Sequence, residues 1–259
     1  MEPTTLLVAY GDPRQLEECL ASLKSPAPVL IVDNGGPDST PGEVERIAST
    51  YGARRLDAGG NIGFASAVNL ALGSPAASDR DVLLLNPDAR IGWSDVLKIQ
   101  EKLRAGHYAA ASPLLRYPDG RPQTTEWPLP SVRGEWLAVA GLLHRVKPDG
   151  TFLAGSVLML RAEALSEVGD FDERFFLYGE EADWQRRARD QGWNTVLVPE
   201  VSAVHQGGGT SHDENERLKR FQSAAYVYID KWYGRRGLSR YRRAERLVEF
   251  RRRFFTRGG

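Results

Sequence analysis

Three carboxylates crowd the stretch FFLYGEEADWQRRARDQGW, residues 175–193, where Glu180, Glu181 and Asp183 open a helical pattern directly after an aromatic run. A helix dipole stabilises an acid in the first turn, which accounts for one of them and not for three. Mutual repulsion in such a group raises a carboxyl pKa towards neutrality, the condition a general base needs. Asp183 stands three residues after Glu180 and three before Arg186, the spacing of a helix-face ion pair that would orient the loop, and Trp184 reads as core. Other candidates close apolar runs: Tyr10, Gly11 and Asp12 after the first, Asp33 and Asn34 after PVLIVDN, Asn86 and Asp88 in RDVLLLNPD, and His205 ahead of a glycine-rich loop. Each has a structural reading beside the chemical one: Asn86-Pro87-Asp88 is turn chemistry, Asp33 with Gly35 and Gly36 makes an Asx turn, and a lone strand histidine is commonly structural.

The elements that must position these residues alternate. TTLLVAY is a short apolar strand. DPRQLEECLASL starts a helix, with Asp12 as N-cap, Pro13 at its first position and Gln15 where a capping box wants it. PVLIVDN is a second strand, GEVERIASTYG a helix, ARRLDA a short strand, IGFASAVNLALG a helix and RDVLLLNPD a strand. Strands apolar without alternation, separated by helices, predict a parallel sheet covered on both faces, with ligands bound beyond the carboxyl ends of its strands. The second half is less regular. It reads as a Pro- and Trp-containing loop region over 120–136, a strand and helix over 149–169, and a strand pair over 194–205.

VDNGGPDST, NIGFASAVNLAL, LLLNPDARI and VGDFDERFFLYGEEADWQRRARDQGW, followed by VHQGGGTS, resemble in order and spacing the family 2 glycosyltransferases of the GT-A fold, nearest the bacterial rhamnosyltransferase branch. The resemblance runs from about residue 4 to 212. It implies an α/β, Rossmann-like, mostly parallel sheet with flanking helices. Residues 1–212 would form the glycosyltransferase domain, with a nucleotide-binding half to about 92 and an acceptor-binding half from about 93, and 213–259 a helical, basic extension.

The implied activity is inverting transfer of a sugar, L-rhamnose from dTDP-L-rhamnose first of all, to a hydroxyl of a glycan or polyprenyl-linked acceptor in cell-wall or surface polysaccharide synthesis. UDP-hexose and GDP-mannose are the alternative donors. The family carries Asp-x-Asp where this chain has Asn86-Pro87-Asp88, so Asp88 alone would hold a divalent cation, Mg²⁺ or Mn²⁺, on the diphosphate. His205 would complete that metal site, and imidazole suits Mn²⁺ better than Mg²⁺. The family's acidic pair, usually Glu-Asp, corresponds to Glu180-Glu181, with Glu181 as base and Glu180 in reserve. Donor contacts would come from Ala9, Tyr10, Asp33, Asn61, Gly63, Asn69, Asn86 and Asp88, Asp33 accepting the N3–H of a uracil or thymine. Gly59, Gly60 and Gly63 would let the backbone approach a ligand, and the helix after them would favour a phosphate. Trp127, Gly155 and Phe175, with Trp136, would offer an acceptor surface, or merely close the core.

Composition is that of a folded globular protein, 41% hydrophobic and 26% charged. The net charge of zero conceals an asymmetry: from Lys231 on there are eleven Lys/Arg against Glu245 and Glu249, about +9, with about −9 in the preceding 230 residues. In the tail Leu238, Tyr241, Leu247, Val248, Phe254 and Phe255 recur at helical spacing between arginines. That pattern fits a basic amphipathic helix on an anionic membrane surface, with packing on the acidic body or pairing in a homodimer as alternatives. Neither a signal peptide nor a membrane span is read, and Cys19 is unpaired, so the expected location is cytoplasmic, peripheral at the inner face of the plasma membrane. A nucleotidyltransferase lacks support because no Gly-rich basic loop follows the first strand. A non-catalytic sugar-nucleotide or nucleic-acid-binding protein would use the basic tail as its main surface; nucleic acid is the weaker partner.

Overall fold

The structure, a computed structural model, describes residues 1–36, 42–142, 150–207 and 214–255, the side chains of 214 and 249–255 excepted. In the first half, β1 (Thr4–Ala9), α1 (Pro13–Leu23), β2 (Val29–Asp33), α2 (Glu43–Thr50), β3 (Arg54–Asp57), α3 (Phe64–Leu72) and β4 (Val82–Leu85) follow the order expected from the sequence. The strands lie side by side as β3-β2-β1-β4, all parallel. Their lack of alternation has a simple cause. Leu7, Ile31 and Leu83 point into one core with Leu16, Leu20 and Ile47, while Leu6, Leu30 and Leu84 point into a second with Ala65, Val68 and Ala71 of α3. Each such leucine withdrawn from water contributes about 1.5–3 kcal/mol, so both faces of the sheet are fixed by burial. Cys19 is wholly buried in the first core, and burial pushes its thiol up to about 12.

The second half comprises β5 (Ala89–Arg90), α4 (Trp93–Arg104), β6 (Tyr108–Arg116), β7 (Glu126–Pro128), α5 (Val132–Ala140), β8 (Thr151–Leu153), β9 (Val157–Leu160), α6 (Ala162–Val168), α7 (Glu180–Asp190), β10 (Asn194–His205) and α8 (Glu214–Phe255). The main sheet continues β4-β9-β6-β10-β5, with β9 antiparallel to both neighbours and β10 parallel to β6. β7 and β8 form a separate two-stranded antiparallel sheet.

Three local expectations change. Residues 194–205 are one strand rather than a pair, because the register slips between Val198 and Ser202, where β10 accommodates Pro199 by bulging instead of ending. The single strand expected within 149–169 is two, β8 and β9, divided at 154–156 and assigned to different sheets. The 120–136 region is not all loop: it contains β7 and the start of α5, which Ser131 caps by accepting the Gly134 N–H at 2.9 Å.

The basic tail is helical, as its spacing predicts, but α8 breaks at Gly234, whose φ of 64° lies in the left-handed region. Beyond it, Glu245 accepts from Gln222 Nε2 and the Tyr226 hydroxyl, so the second arm folds back along the first. Leu238 and Tyr241 pack on a third core that joins Leu129, Phe175 and Ala182 to Tyr228 and Ile229 of α8. Part of the apolar stripe is therefore used within the chain, the packing alternative. Leu247 is exposed, Val248 half-buried, and the Phe254 and Phe255 side chains lie outside the described residues. No helix among the described residues is long and apolar enough to cross a membrane.

Candidate active site

A crevice of about 740 Å³, counting its open mouth, lies at the carboxyl ends of β1, β2 and β4, lined by Tyr10, Asn34, Asn61, Gly63, Asn86 and Asp88. A smaller recess beside it is lined by Ala9, Tyr10, Asp33 and Pro87. The Asp33 carboxylate is held by Arg55, whose Nε lies 2.9 Å from Oδ2, and it also accepts the Gly35 N–H at 3.3 Å. The Asx turn with Gly35 is thus present, and one carboxylate oxygen is committed to Arg55.

Three amides at the entrance of α3 have acceptors within the chain. The Ile62 N–H donates to Asn34 Oδ1 at 3.0 Å, the Gly63 N–H to Asn61 Oδ1 at 3.1 Å and the Phe64 N–H to the Phe176 carbonyl at 2.7 Å. These three amides are committed within the chain. Asn34 and Asn61 are joined by an amide hydrogen bond of 3.2 Å, so the two strand-end loops form one rigid rim. Gly63, at φ 87°, is needed because Phe176 backs against it: a Cβ there would stand 2.8 Å from the Phe176 carbonyl oxygen. Asn69 is not on the crevice. Its amide clamps the 171–173 segment, giving to the Phe171 carbonyl and Glu173 and accepting the Phe171 N–H at 2.9 Å.

Asp88 and His205, 117 residues apart in sequence, meet because β5 and β10 pair antiparallel, with His205 opposite Ala89. His205 Nε2 lies 3.4 Å from Asp88 Oδ1, both side chains nearly buried. The turn reading of Asn86-Pro87-Asp88 also holds, since the Ala89 N–H donates to the Asn86 carbonyl at 3.0 Å. The amide of Gln123 donates to the His205 carbonyl, so its Oε1 must accept from Nδ1, 2.9 Å away. That bond places the imidazole proton on Nδ1 and leaves the Nε2 lone pair facing the carboxylate. Two lone-pair donors facing each other at this distance, one carboxylate and one imidazole, fit a shared divalent cation, with the remaining positions left to phosphate oxygens or water. Among the described residues no third carboxylate, thiol or imidazole joins them. Gln123 was not visible as a site residue, since only the β6 and β10 pairing brings it to His205.

Glu180 and Glu181 begin α7 behind two left-handed residues, Tyr178 at φ 72° and Gly179 at φ 84°. Glu180 is 4% exposed and Glu181 half-buried, and one oxygen of each, Oε2, is sealed from solvent without a hydrogen-bond partner. Burial raises both carboxyl pKa values, Glu180 well above the ordinary range, with the neighbouring Glu181 charge adding to it. For Glu181, backbone N–H groups, Gly179 and Gly155 among them, pull the other way. Gly155 lies against Glu181: a Cβ on it would meet that side chain at 3.8 Å. The next residue, Ser156, accepts the Asn86 N–H at 2.9 Å. The acidic pair is thereby linked to the Asp88 turn through two consecutive residues.

Asp183 makes the helix-face ion pair expected of it, but with Arg187 in place of Arg186, and it takes further partners from α8. Fully buried, it accepts from Arg187, Lys231 and the Trp232 indole, tying α7 to α8, while Arg186 stacks 4.0 Å above the Trp232 ring. Trp184 is core, as expected. Phe175 is 1% exposed within the third core and presents no surface, which corrects the acceptor reading for it; Trp127 is 47% exposed on the small β7–β8 sheet and does not line the crevice. Sequence reading also missed Gln15, Phe176, Tyr178 and Arg220, all of which line the crevice. Gln15 does not close a capping box but reaches Gln206 at 3.0 Å.

Residues 82–258 match the model of Glycosyl transferase family group 2. The chain is 31% identical over 258 residues to N-acetylglucosaminyl-diphospho-decaprenol L-rhamnosyltransferase of Mycobacterium tuberculosis, covering 86% of this chain and 82% of that protein. It is 26% identical over 231 residues to the low-salt glycan biosynthesis hexosyltransferase Agl10 of Haloferax volcanii, covering 87% and 71%. Among solved structures, GalNAc-T7 with UDP, GalNAc and Mn²⁺ superposes with a TM-score of 0.60 at 12% identity, over 90% of this chain and 51% of that one. S. aureus TarS superposes at 0.58 and 16%, over 89% of this chain; the chain spans 40% of that TarS chain. These likenesses carry the GT-A fold alone, whereas the family match covers most of the sequence. The chain is a glycosyltransferase and belongs to glycosyl transferase family group 2.

Proposed function

We propose that the protein is an inverting, divalent-cation-dependent transferase that moves L-rhamnose from dTDP-L-rhamnose to a hydroxyl of a lipid-linked glycan. The observation that carries this reading is the junction at Gly155 and Ser156. It links Glu181, a carboxylate kept basic by burial, to the turn that carries Asp88, which His205 faces from the end of β10. The mycobacterial relative's name supports the rhamnosyl donor and the polyprenyl-linked acceptor.

In this reading Tyr10, Asn34 and Asn61 border the nucleoside, with Ala9 and Asp33 in the adjoining recess, and Asp88 and His205 hold the cation. The cation, when bound, offsets the negative charge that grows on the departing diphosphate. The Glu181 carboxylate takes the proton of the acceptor hydroxyl as the hydroxyl oxygen bonds to the anomeric carbon. The bond from that carbon to the diphosphate oxygen breaks on the opposite face, and both electrons leave with the nucleoside diphosphate. Gly155, without a side chain, leaves the acceptor room beside Glu181.

Transfer from radiolabelled nucleotide-sugars to a polyprenyl-diphosphate-linked acceptor tests the proposal. The expected result is turnover with dTDP-L-rhamnose that a chelator abolishes and Mn²⁺ or Mg²⁺ restores. Turnover with UDP-hexose or GDP-mannose alone would replace the donor, and turnover indifferent to chelation would remove the cation.

A further inference from the structure

We propose that Arg220, on the first arm of α8, binds the diphosphate of the donor and stabilises it as the leaving group; this rests on the glycosyl-transfer reading of the same crevice. Among the described residues lining that crevice, Asp88 is the single carboxylate and Arg220 the single permanently cationic side chain. Asp88 brings negative charge to the place where two phosphates must sit. A positive charge that needs no metal to be present is the complement such a wall lacks. Arginine is suited to it because its planar fork pairs with two phosphate oxygens at once.

The fold delivers Arg220 there by packing, not by local sequence. Phe221, the next residue, stacks on Tyr178 with ring centroids 3.8 Å apart and an interplanar angle of 11°. One turn further on, Ala224 is buried against the Gly179 and Phe175 region, and Tyr228 and Ile229 enter the third core. This face of α8 is therefore seated on the segment that leads into Glu180 and Glu181, and the Phe221 stack fixes the backbone from which Arg220 reaches the crevice. Its guanidinium is held by Glu216 one turn back on the same helix, the arginine side chain 31% and the glutamate 51% exposed. Part-solvated pairs of this kind are weak. Glu216 orients the guanidinium while the crevice is empty and yields it to a dianionic ligand.

Calorimetric titration of the full chain with dTDP, UDP and GDP in the presence of Mn²⁺, and with the matching nucleoside monophosphates, tests the assignment. Arg220→Ala is expected to weaken the diphosphate by roughly 10- to 100-fold, the loss typical of a charge-assisted hydrogen bond, with monophosphate affinity nearly unchanged. Arg220→Lys should recover part of the loss, and Glu216→Gln should bind the diphosphate as tightly as wild type or more so. Wild-type diphosphate affinity in Arg220→Ala overturns the assignment and leaves the transferase reading standing. So does an effect confined to the KM for a diphospholipid acceptor, or an equal loss for mono- and diphosphate. Failure of the wild-type chain to bind any of the three diphosphates overturns both.

Discussion

Lys231 Nζ lies 2.7 Å from Asp183 Oδ1, joining α8 to the third carboxylate of the acidic group that opens α7. The same ammonium lies 2.7 Å from Asp172 Oδ2. Asp183 is therefore a structural anchor, and the helix start that carries Glu180 and Glu181 is held in place from α8.

Removing that ammonium leaves a wholly buried carboxylate one donor short. Lys231→Met should lower unfolding free energy by about 2–4 kcal/mol, measured by urea denaturation. Stability equal to wild type would show that Arg187 and Trp232 satisfy Asp183 alone.

Glu181→Gln should cut kcat by about 10²- to 10⁴-fold, the range for loss of a general base, with nucleoside diphosphate affinity retained because the side chain acts in the chemical step. Near-normal turnover would pass the role to Glu180, to be tested by the same substitution. The raised Glu181 pKa adds a pH signature: wild-type kcat should rise with pH through a midpoint above the ordinary glutamate value of 4.5.

Glu180 predicts an opposite trend for stability. Its folded pKa is raised by burial, so the folded state binds the proton more tightly than the unfolded chain. The stability this contributes is full below the unfolded value of about 4.5 and is lost as pH rises through the folded pKa. Glu180→Gln should therefore melt higher than wild type at pH 8 and not at pH 4. A gap independent of pH would contradict the assignment of a buried, raised carboxyl.

Asp88→Ala and His205→Ala should each weaken Mn²⁺-dependent binding of a nucleoside diphosphate, read by calorimetry. Gln123→Leu should do so more mildly, since it only orients the imidazole; losses of about 10-fold or more are usual for such supporting partners. Unchanged affinity and metal dependence in all three would remove the cation site.

Peripheral membrane binding through the tail is tested with vesicles containing anionic lipid, at low and high salt. Truncation at Gly234 would also remove Leu238, Tyr241 and the buried Ala244, which pack within the chain. Serine at the exposed Arg240, Arg243 and Arg246 is the cleaner change. The expected outcome is sedimentation of wild type at low salt, weakened by the triple change, each arginine near the surface contributing on the order of 1 kcal/mol. A wild-type chain that stays in solution would refute it.

The sequence by itself determined what local patterns encode. The four-strand parallel half of the sheet, its helices, the capping Asp12 and the strand-end positions of Tyr10, Asp33 and Asp88 follow from apolar runs and turn residues that act over a few positions. The acidic opening of α7 was equally legible. Tertiary structure alone decided which of these residues meet. The pairing of His205 with Asp88 depends on β5 lying antiparallel to the far end of a bulged β10, and Gln123 joins them across 82 residues. Phe175 and Phe176 are adjacent aromatics, yet the first is core and the second is 52% exposed at the crevice. The amides before α3 look like a phosphate cradle until Asn34, Asn61 and Phe176 are seen to accept from them. Asp183 is set apart from Glu180 and Glu181 by its cationic and indole partners, Arg187 on α7 and Lys231 and Trp232 on α8. Periodicity reports which face of an element is buried; which partner covers that face depends on long-range packing, and no local pattern contains it.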